Sequence, residues 1–177
     1  ICDKDRLLGV NLLGYALYPD KFTNELLREL RDYVIEVDLE FSERFGVPQS
    51  ASVTTLKPSG NSSLFNATSP GVNPIHSRYQ FRNVTVNKLS TMHKFLADSG
   101  VIYHDYPERD YASMFTFPAK YPEKALTLEN CDAIAQLESW KKFKTNWATH
   151  QVSCSITYEP HEVEQIQQWL FLNQDII

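Results

Sequence analysis

The sequence has few cysteines and no paired cysteine motif. Its three cysteines, Cys2, Cys131 and Cys154, are an odd number at long spacings, with no Cys-x-x-Cys pair among them. Disulfide frameworks and zinc knuckles need closely spaced or even sets of cysteines, so neither is expected. We therefore predict free thiols in a reducing, cytoplasmic environment, with structural rather than redox roles for Cys131 and Cys154.

An excess of positive charge is also missing, because 17 basic and 22 acidic residues give a formal net charge of -5. This balance argues against nucleic acid or an acidic membrane as a partner. No apolar run approaches the roughly 20 residues that span a bilayer, and the first residues lack the pattern of a secretory signal. The absence of an initiator methionine favours a piece of a longer protein. A nucleotide ligand stays possible, since it needs only local donors.

Short apolar stretches alternate with amphipathic ones. Strands are expected at 6–13 (buried on both faces), 52–56, 78–86 with a bulge near Asn83, 113–117 ending at Pro118, and 152–158. Helices are expected from Thr23 to Gly46, over 89–97, over 128–147, and from Pro160 onward. Such alternation predicts crossover units and a mostly parallel α/β sheet. Ile176 and Ile177 resemble the approach to a further strand.

The segment from Lys57 to Phe65, Lys-Pro-Ser-Gly-Asn-Ser-Ser-Leu-Phe, carries the clearest chemical signal. It follows a predicted strand and precedes a predicted helical turn. Gly60 lets a ligand approach the backbone, and the short polar side chains after it lie beside the free N–H groups of a helix start. The pattern suits phosphate, although capped turns rich in serine and glycine are also common without ligands. It is not a Walker A loop, because the lysine precedes the glycine.

Several stretches resemble class II, adenosylcobalamin-dependent ribonucleotide reductases. The most specific are Thr54-Thr55-Leu56-Lys57-Pro58-Ser59-Gly60-Asn61-Ser62-Ser63 and Gly71-Val72-Asn73-Pro74-Ile75-His76-Ser77-Arg78-Tyr79. Residues 140–158 are similar to a late helix and barrel strand of that family, and residues 6–10 to the strand that follows its catalytic cysteine segment. The resemblance thus touches most of the chain in the expected order.

This resemblance implies a single fragment over 1–177, the carboxyl-terminal half of a ten-stranded α/β barrel with mostly parallel strands and crossover helices. It implies reduction of ribonucleoside triphosphates, or diphosphates, by a thiyl-radical mechanism, with adenosylcobalamin as cofactor and a thioredoxin-like or dithiol reductant. The radical-bearing Asn-x-Cys-x-Glu segment is absent, so catalytic residues are expected in an amino-terminal remainder and the isolated chain is expected to be inactive. The alternative is a non-catalytic nucleotide-binding or structural remnant of such a reductase.

The resemblance assigns substrate phosphate binding to the loop at 57–65. The residues that would cradle the phosphates, mainly through backbone N–H and hydroxyl groups, are Ser59, Gly60, Asn61, Ser62 and Ser63. Three more lie near enough in sequence to contact substrate, with a solvated or structural role as the alternative for each: Lys57, His76 and Arg78. Asn61 and Asn73 stand where relatives frequently have threonine and histidine, which puts a direct role for those two side chains in doubt.

The other polar residues are expected to be exposed to solvent rather than to take part in catalysis or binding, and no metal ligands are predicted. A solvated loop is expected for the cluster His104, Asp105, Glu108, Arg109 and Asp110. Glu162 and Glu164 are expected on a solvent face at the start of the last helix.

Overall fold

The computed structural model describes residues 2–177, except for five side chains: Cys2, Asp3, Asn61, Leu64 and Phe65. The chain divides into two compact units. Unit 1 contains the residues up to His76 together with Lys124–Ile177, and unit 2 is Ser77–Glu123. A single barrel fragment over 1–177 stays a prediction.

Helices and strands alternate along most of the chain, as the sequence predicts, but two strands follow one another after residue 100 and the last two α-helices have no named strand between them. The α-helices are α1 (Cys2–Asp5), α2 (Asn24–Phe45), α3 (Gly60–Phe65), α4 (Thr91–Asp98), α5 (Ala133–Asn146) and α6 (Val163–Leu172). The strands are β1 (Val10–Asn11), β2 (Thr54–Thr55), β3 (Tyr79–Asn87), β4 (Tyr103–Asp105) and β5 (Ala112–Lys120). Short 3-10 turns occupy Tyr15–Leu17, Pro19–Lys21 and Pro160–Glu162. None of the described helices is long and apolar enough to cross a membrane.

The ends of α2 follow from local chemistry. The Thr23 hydroxyl accepts a hydrogen bond from the Leu26 N–H at 3.2 Å, and Gly46 ends the helix with a φ of 64°. The predicted start and end of this helix are both confirmed. The Thr23 hydroxyl and the left-handed Gly46 satisfy backbone groups that have no partner within the helix. α5 begins at Ala133 rather than near 128, since the Asn130 side chain instead holds the preceding turn through Thr127 N–H and Ala125 C=O.

Three segments of unit 1 lie side by side and parallel. β1 pairs with β2 in the register Val10 to Thr54, and Leu56 forms a parallel bridge with Val152. The prediction of parallel strands is therefore confirmed in this unit, although the ladders are short. The prediction that residues 6–13 are buried on both faces was wrong, because Leu7 and Leu8 are about half exposed, at 54% and 51%. In the described chain β1 has a partner strand on one side only.

The strand expected over 152–158 is reduced to the single bridge at Val152. Beyond it, amide side chains rather than a neighbouring strand satisfy the backbone. Gln136 accepts from the Thr157 N–H at 3.0 Å and donates to the Thr157 carbonyl at 2.9 Å. The Asn73 Oδ1 accepts from the Ser155 N–H at 3.2 Å. The prediction of a strand is therefore wrong beyond the bridge at Val152, because side chains take the place of a neighbouring strand there.

The core of unit 1 lies between α2, α5 and the parallel segments. Its buried members are Tyr15, Leu27, Leu56, Val72, Phe143, Trp147 and Val152. On α2 the buried apolar residue is Leu27, whereas Leu26, the first member of the expected stripe, is exposed. Asp38 is also buried on this helix and accepts hydrogen bonds from the Ser50 N–H and hydroxyl at 3.0 and 2.7 Å. An apolar pattern does not reveal such a satisfied carboxylate.

Unit 2 is built on an antiparallel sheet in the order β3-β5-β4, so the expectation of mostly parallel strands is wrong here. The register runs unbroken from Tyr79–Lys120 to Asn87–Ala112, which excludes the bulge expected near Asn83. β5 also continues through Pro118. At that point only β3 is paired with β5, because β4 ends opposite Ser113–Phe115, and an open strand side tolerates a missing N–H.

The strand β4 was not predicted, because Tyr-His-Asp has no apolar alternation. His104 and Asp105, expected in a solvated loop, belong to this strand, while Glu108, Arg109 and Asp110 are exposed in the turn before β5. β3 and β4 run in the same direction with β5 between them, and α4 connects them. The unit is therefore a split β-α-β crossover with an antiparallel central strand.

Candidate phosphate-binding site

The predicted loop lies where the parallel segments of unit 1 end. β1 ends at Asn11, β2 is followed by the bridge residue Leu56 and then Lys57, and Val152 is followed by Ser153. Ligands of open parallel α/β sheets bind beyond the carboxyl ends of the strands. The loop thus occupies the edge of unit 1 at which a ligand site is expected.

The backbone of Lys57 is held from two sides. The Asn11 Oδ1 accepts from the Lys57 N–H at 2.9 Å, and the Asn11 Nδ2 donates to the Lys57 carbonyl at 3.3 Å. On another side Gly71, with a φ of 53°, lies so close that an added Cβ would stand 3.0 Å from the Lys57 carbonyl oxygen. Only glycine suits this position. The two stretches that carry the family resemblance are therefore packed against each other.

The first turn of α3 is stabilised by its own serines. The Ser59 hydroxyl accepts from the Ser62 N–H at 3.2 Å. Ser63 is buried, and its hydroxyl donates to the carbonyls of Ser59 and Gly60. Ser62 is exposed. The hydroxyls of Ser59 and Ser63 thus fix the shape of the turn, while Gly60 and, among the described side chains of the turn, Ser62 are exposed.

Gly60 faces open space. Among the described residues, an added Cβ would meet no atom within 4 Å beyond the neighbours and backbone of its own turn, and the φ of Gly60 lies outside the left-handed region. Neither packing nor backbone conformation therefore requires glycine at this position. A glycine without such a reason leaves the backbone accessible to a ligand, which suits the predicted role.

The remaining predicted residues are distributed as follows. The Lys57 ammonium is exposed and lies 3.5 Å from the Ser153 hydroxyl, at the same edge as the loop. The Asn61 side chain lies outside the described residues. His76 is exposed in unit 1. Arg78 belongs to unit 2, where it donates to the Tyr121 carbonyl at 3.3 Å and lies 3.7 Å from the Glu123 carboxylate. The roles assigned to all of these residues stay predictions.

Two residues at this edge were not predicted as functional. The sequence offered no signal for Asn11 beyond its place at the end of a strand. Ser153 likewise follows the bridge residue Val152. Gly71 was noted only as part of a motif, although the Pro70-Gly71 pair is a recognisable turn signal.

The two cysteines with described side chains, Cys131 and Cys154, do not form a reactive site. Cys131 is buried, Cys154 is half-buried, and both are free. Burial raises the pKa of both thiols, and the neighbouring Asp132 adds to this effect at Cys131. Both are therefore held in the thiol form at neutral pH, which is the unreactive one. Among the described residues no group of three or more His, Cys, Asp or Glu side chains could hold a metal ion.

Glu162 corrects an expectation, since it is buried rather than solvated. Its carboxylate accepts from the Glu159 N–H at 2.6 Å and from the Ala133 N–H at 2.9 Å, and these bonds hold its pKa below the ordinary value. The residue joins the start of α6 to the start of α5. The signal was present as Glu159-Pro-His-Glu162, a capping-box spacing. Glu164 is exposed, as expected.

The fold that contains this site is similar to that of a B12-dependent (class II) ribonucleotide reductase of known crystal structure. The TM-score is 0.76 at 20% sequence identity, over 86% of this chain and 22% of that chain. This likeness confirms the α/β fold class. No family model matches the chain.

Curated proteins lead to the same class. The chain is 29% identical over 167 residues to the adenosylcobalamin-dependent ribonucleoside-triphosphate reductase of Euglena gracilis, over 89% of this chain and 22% of the relative. Proteins of the same name from Lactobacillus leichmannii (24% over 159 residues, 85% and 21%) and Levilactobacillus brevis (25% over 145 residues, 77% and 19%) are also similar. The resemblance to this family is thereby confirmed. The chain spans about a fifth of the length of these relatives.

Proposed function

We propose that this chain is one part of an adenosylcobalamin-dependent ribonucleoside-triphosphate reductase, in which it binds the substrate's phosphates and forms about half of a ten-stranded α/β barrel. The observation that carries the proposal is the convergence of the two resembling stretches at the carboxyl edge of the parallel segments, where Gly71 packs against the Lys57–Pro58 peptide. The names and coverage of the relatives support the same assignment.

Phosphate contact falls mainly to the backbone from Ser59 to Ser63. The N–H groups in the first turn of a helix have no intrahelical partners, and they favour anions. Gly60 leaves this backbone open, Ser62 adds an exposed hydroxyl, and Lys57 adds positive charge at the same edge. The hydroxyls of Ser59 and Ser63 and the Ser62 N–H already take part in the turn, so the main donors in this proposal are the N–H groups of Gly60 and Asn61. In a chain of net charge -5, such local donors have to provide the attraction.

The radical chemistry belongs to the remainder of the enzyme. The reaction replaces the ribose 2'-hydroxyl by hydrogen and releases water while a dithiol is oxidised to a disulfide, and a cysteine thiyl radical starts it at the 3' carbon. No Asn-x-Cys-x-Glu segment occurs in this sequence, and Cys131 and Cys154 are held as thiols by burial. The isolated chain is therefore inactive. A thioredoxin-like or dithiol reductant and a cytoplasmic location belong to the same proposal.

Three clefts formed by the described residues are too small to hold adenosylcobalamin by themselves. Their volumes are about 220, 350 and 450 Å³. Drug-sized ligands occupy roughly 300–1,000 Å³, and a corrin with its adenosyl group is larger than such ligands. We therefore assign the cofactor to the remainder of the enzyme and no reaction step to its contact with this chain.

Calorimetric titration with a nucleoside triphosphate tests the binding step. We expect the chain to bind, and Gly60→Asp to weaken binding at least about tenfold, or about 1.4 kcal/mol, because a carboxylate then occupies the space left for phosphate. Thermal stability should not change, since the added side chain meets open space. The matched control is Asn83→Asp, which adds the same charge in unit 2 and keeps an acceptor for the Thr116 hydroxyl. Absent binding, or equal binding by Gly60→Asp, contradicts the proposal.

Complementation separates the enzyme from its alternative. Co-expression with an amino-terminal partner that carries Asn-x-Cys-x-Glu should restore cobalamin-dependent reduction of ribonucleotides, and Gly60→Asp should lower that activity. Nucleotide binding without restored activity would instead support the non-catalytic nucleotide-binding module.

A further inference from the structure

We propose that Asn11 is the positioning residue of the phosphate loop: its carboxamide fixes the Lys57 peptide groups and thereby the direction in which residues 57–65 leave the sheet. This inference rests on the proposed phosphate function for its effect on affinity. The contact itself stands on geometry alone.

The Asn11 side chain makes hydrogen bonds to Lys57 beyond the point where the backbone of β1 stops pairing with β2. Asn11 is the last residue of β1 and lies opposite Thr55. Its own chain then turns away to Gly14, whose N–H donates to the Ser69 carbonyl at 3.1 Å. A primary carboxamide carries the same donor and acceptor as a peptide group. It accepts from Lys57 N–H and donates to Lys57 C=O, as a neighbouring strand residue would.

The opposite edge of the same strand is held by ordinary backbone pairing. The Leu56 N–H donates to the Gln151 carbonyl at 3.0 Å, and the Ser153 N–H donates to the Leu56 carbonyl at 2.8 Å. That pairing ends one residue before Lys57. At Lys57 the backbone is held by Asn11 and by the close approach of Gly71. Of these two, only Asn11 supplies hydrogen bonds, so it decides the orientation of the peptide from which the loop starts.

This arrangement matters for binding because an anion gains most from donors that are already ordered. Each group that must be immobilised on binding lowers the affinity. The loop itself is short, and α3 has only six residues. Without Asn11, the Lys57 N–H and carbonyl are free to turn toward water, and the Ser59–Ser63 turn loses its fixed origin. We therefore expect weaker phosphate binding without loss of the fold.

Two substitutions at Asn11 and one control test this inference on the full chain. Asn11→Ala removes both bonds to Lys57, whereas Asn11→Asp keeps the acceptor for the Lys57 N–H and adds negative charge. Asn83→Ala is the control, since it removes an asparagine whose described bond is to the Thr116 hydroxyl in unit 2. The two readouts are hydrogen exchange of the amides at 57–63 without ligand, and calorimetric affinity for inorganic tripolyphosphate.

Asn11→Ala should speed exchange at Lys57 at least about fivefold and weaken tripolyphosphate binding about tenfold, with no change at amides 79–87. Asn11→Asp should restore slow exchange at Lys57 but bind tripolyphosphate weakly, and added salt should reduce its deficit relative to wild type by screening the new charge. Unchanged exchange in Asn11→Ala overturns the inference. Equal affinity of wild type and Asn11→Ala also overturns it and leaves the phosphate function intact. If the wild type does not bind tripolyphosphate, the phosphate function fails, and exchange at Lys57 alone decides the role of Asn11.

Discussion

Unit 1 and unit 2 hold their strands together by different means. In unit 2, β3 and β5 share nine consecutive residue pairs, so the backbone ladder does most of the work. In unit 1 the named strands are two residues long, and side chains add long-range bonds to the few that the backbone makes. The Thr54 hydroxyl donates to the Trp147 carbonyl at 2.6 Å, and the Trp147 ring N–H donates to the Thr55 carbonyl at 2.8 Å.

This difference in how the strands are held indicates which unit depends on particular side chains. A ladder of nine backbone pairs tolerates many side chains, and β3 accordingly exposes Tyr79 and Phe81. A pair of two-residue strands depends on particular polar side chains, such as Thr54 and Asn11, at particular positions. The same kind of bond that assembles unit 1 also positions the candidate loop. Substitutions should therefore have residue-specific effects in unit 1 and more diffuse effects in unit 2.

The largest expected effect compares the two cores. Phe143 is fully buried in unit 1 and makes an edge contact with Tyr15, with ring centroids 4.9 Å apart. Phe115 is fully buried in unit 2 and stacks on Tyr103. Phe143→Ala and Phe115→Ala should each cost about 3–5 kcal/mol within their own unit. Urea denaturation followed by two probes measures both effects.

The probes follow from the sequence. Tryptophan fluorescence reports unit 1, because Trp140, Trp147 and Trp169 all lie there. Hydrogen exchange at amides 112–120 reports unit 2. Phe143→Ala should move the fluorescence transition to lower urea, and Phe115→Ala should act mainly on exchange. If Phe115→Ala shifts the fluorescence transition as far as Phe143→Ala does, the two units fold as one and the comparison fails.

A smaller effect is expected from the same substitution at one threonine of each unit. Thr54 is fully buried, and its hydroxyl also accepts from the Thr149 N–H at 3.0 Å. Thr54→Val leaves the buried Trp147 carbonyl and the Thr149 N–H without this partner, at a cost of about 1–3 kcal/mol. Thr116 donates to the Asn83 side chain on an accessible strand, so Thr116→Val should change stability by less than about 0.5 kcal/mol. Comparable losses for the two variants would contradict the distinction.

The smallest effect concerns two carboxyl groups. The Lys88 ammonium, 2.8 Å away, lowers the pKa of Asp105 in unit 2, with smaller contributions from Ser113 and His93. Backbone N–H groups lower the pKa of Glu162 in unit 1. Each pKa is lower in the folded chain than the unfolded values of about 3.9 and 4.3. Each contribution to stability is therefore present above the unfolded value and lost as the pH falls through the folded one.

High salt distinguishes a pKa that is lowered by a neighbouring charge from one that is lowered by backbone hydrogen bonds. At about 1 M salt the screening length is about 3 Å, so the pKa of the exposed Asp105 should rise toward its ordinary value. The pKa of Glu162 should change less, because N–H groups of fixed geometry hold it. Carboxyl-carbon NMR titrations of the wild type and of Lys88→Ala measure this. An Asp105 pKa that Lys88→Ala does not raise would show that Lys88 is not the cause.

The sequence predicted elements better than pairings. The limits of α2 follow from Thr23 and Gly46, and proline at the start of the last helix was confirmed, because caps act within one turn. Antiparallel pairing in unit 2 and the strand β4 escaped prediction, since pairing depends on residues far apart in sequence. The burial of Glu162 escaped because its partner Ala133 lies 29 residues away.

The site shows the same division. The Lys57–Phe65 segment could be identified as a loop after a strand from its composition, and the structure places it there. Its support could not be predicted, because Asn11 and Gly71 approach Lys57 from other segments. The chemistry of a loop can be predicted from its own residues. Its orientation depends on residues from distant segments that the fold places beside it.

Backbone amide NMR during titration with tripolyphosphate tests the central claim most directly, since it reports where an anion binds in the whole chain. The account predicts that the largest shift changes occur at residues 59–63, with smaller ones at Lys57 and Ser153 and none along 79–87. Changes concentrated in unit 2, or no saturable change at 59–63, would contradict a phosphate site at the carboxyl edge of the parallel segments.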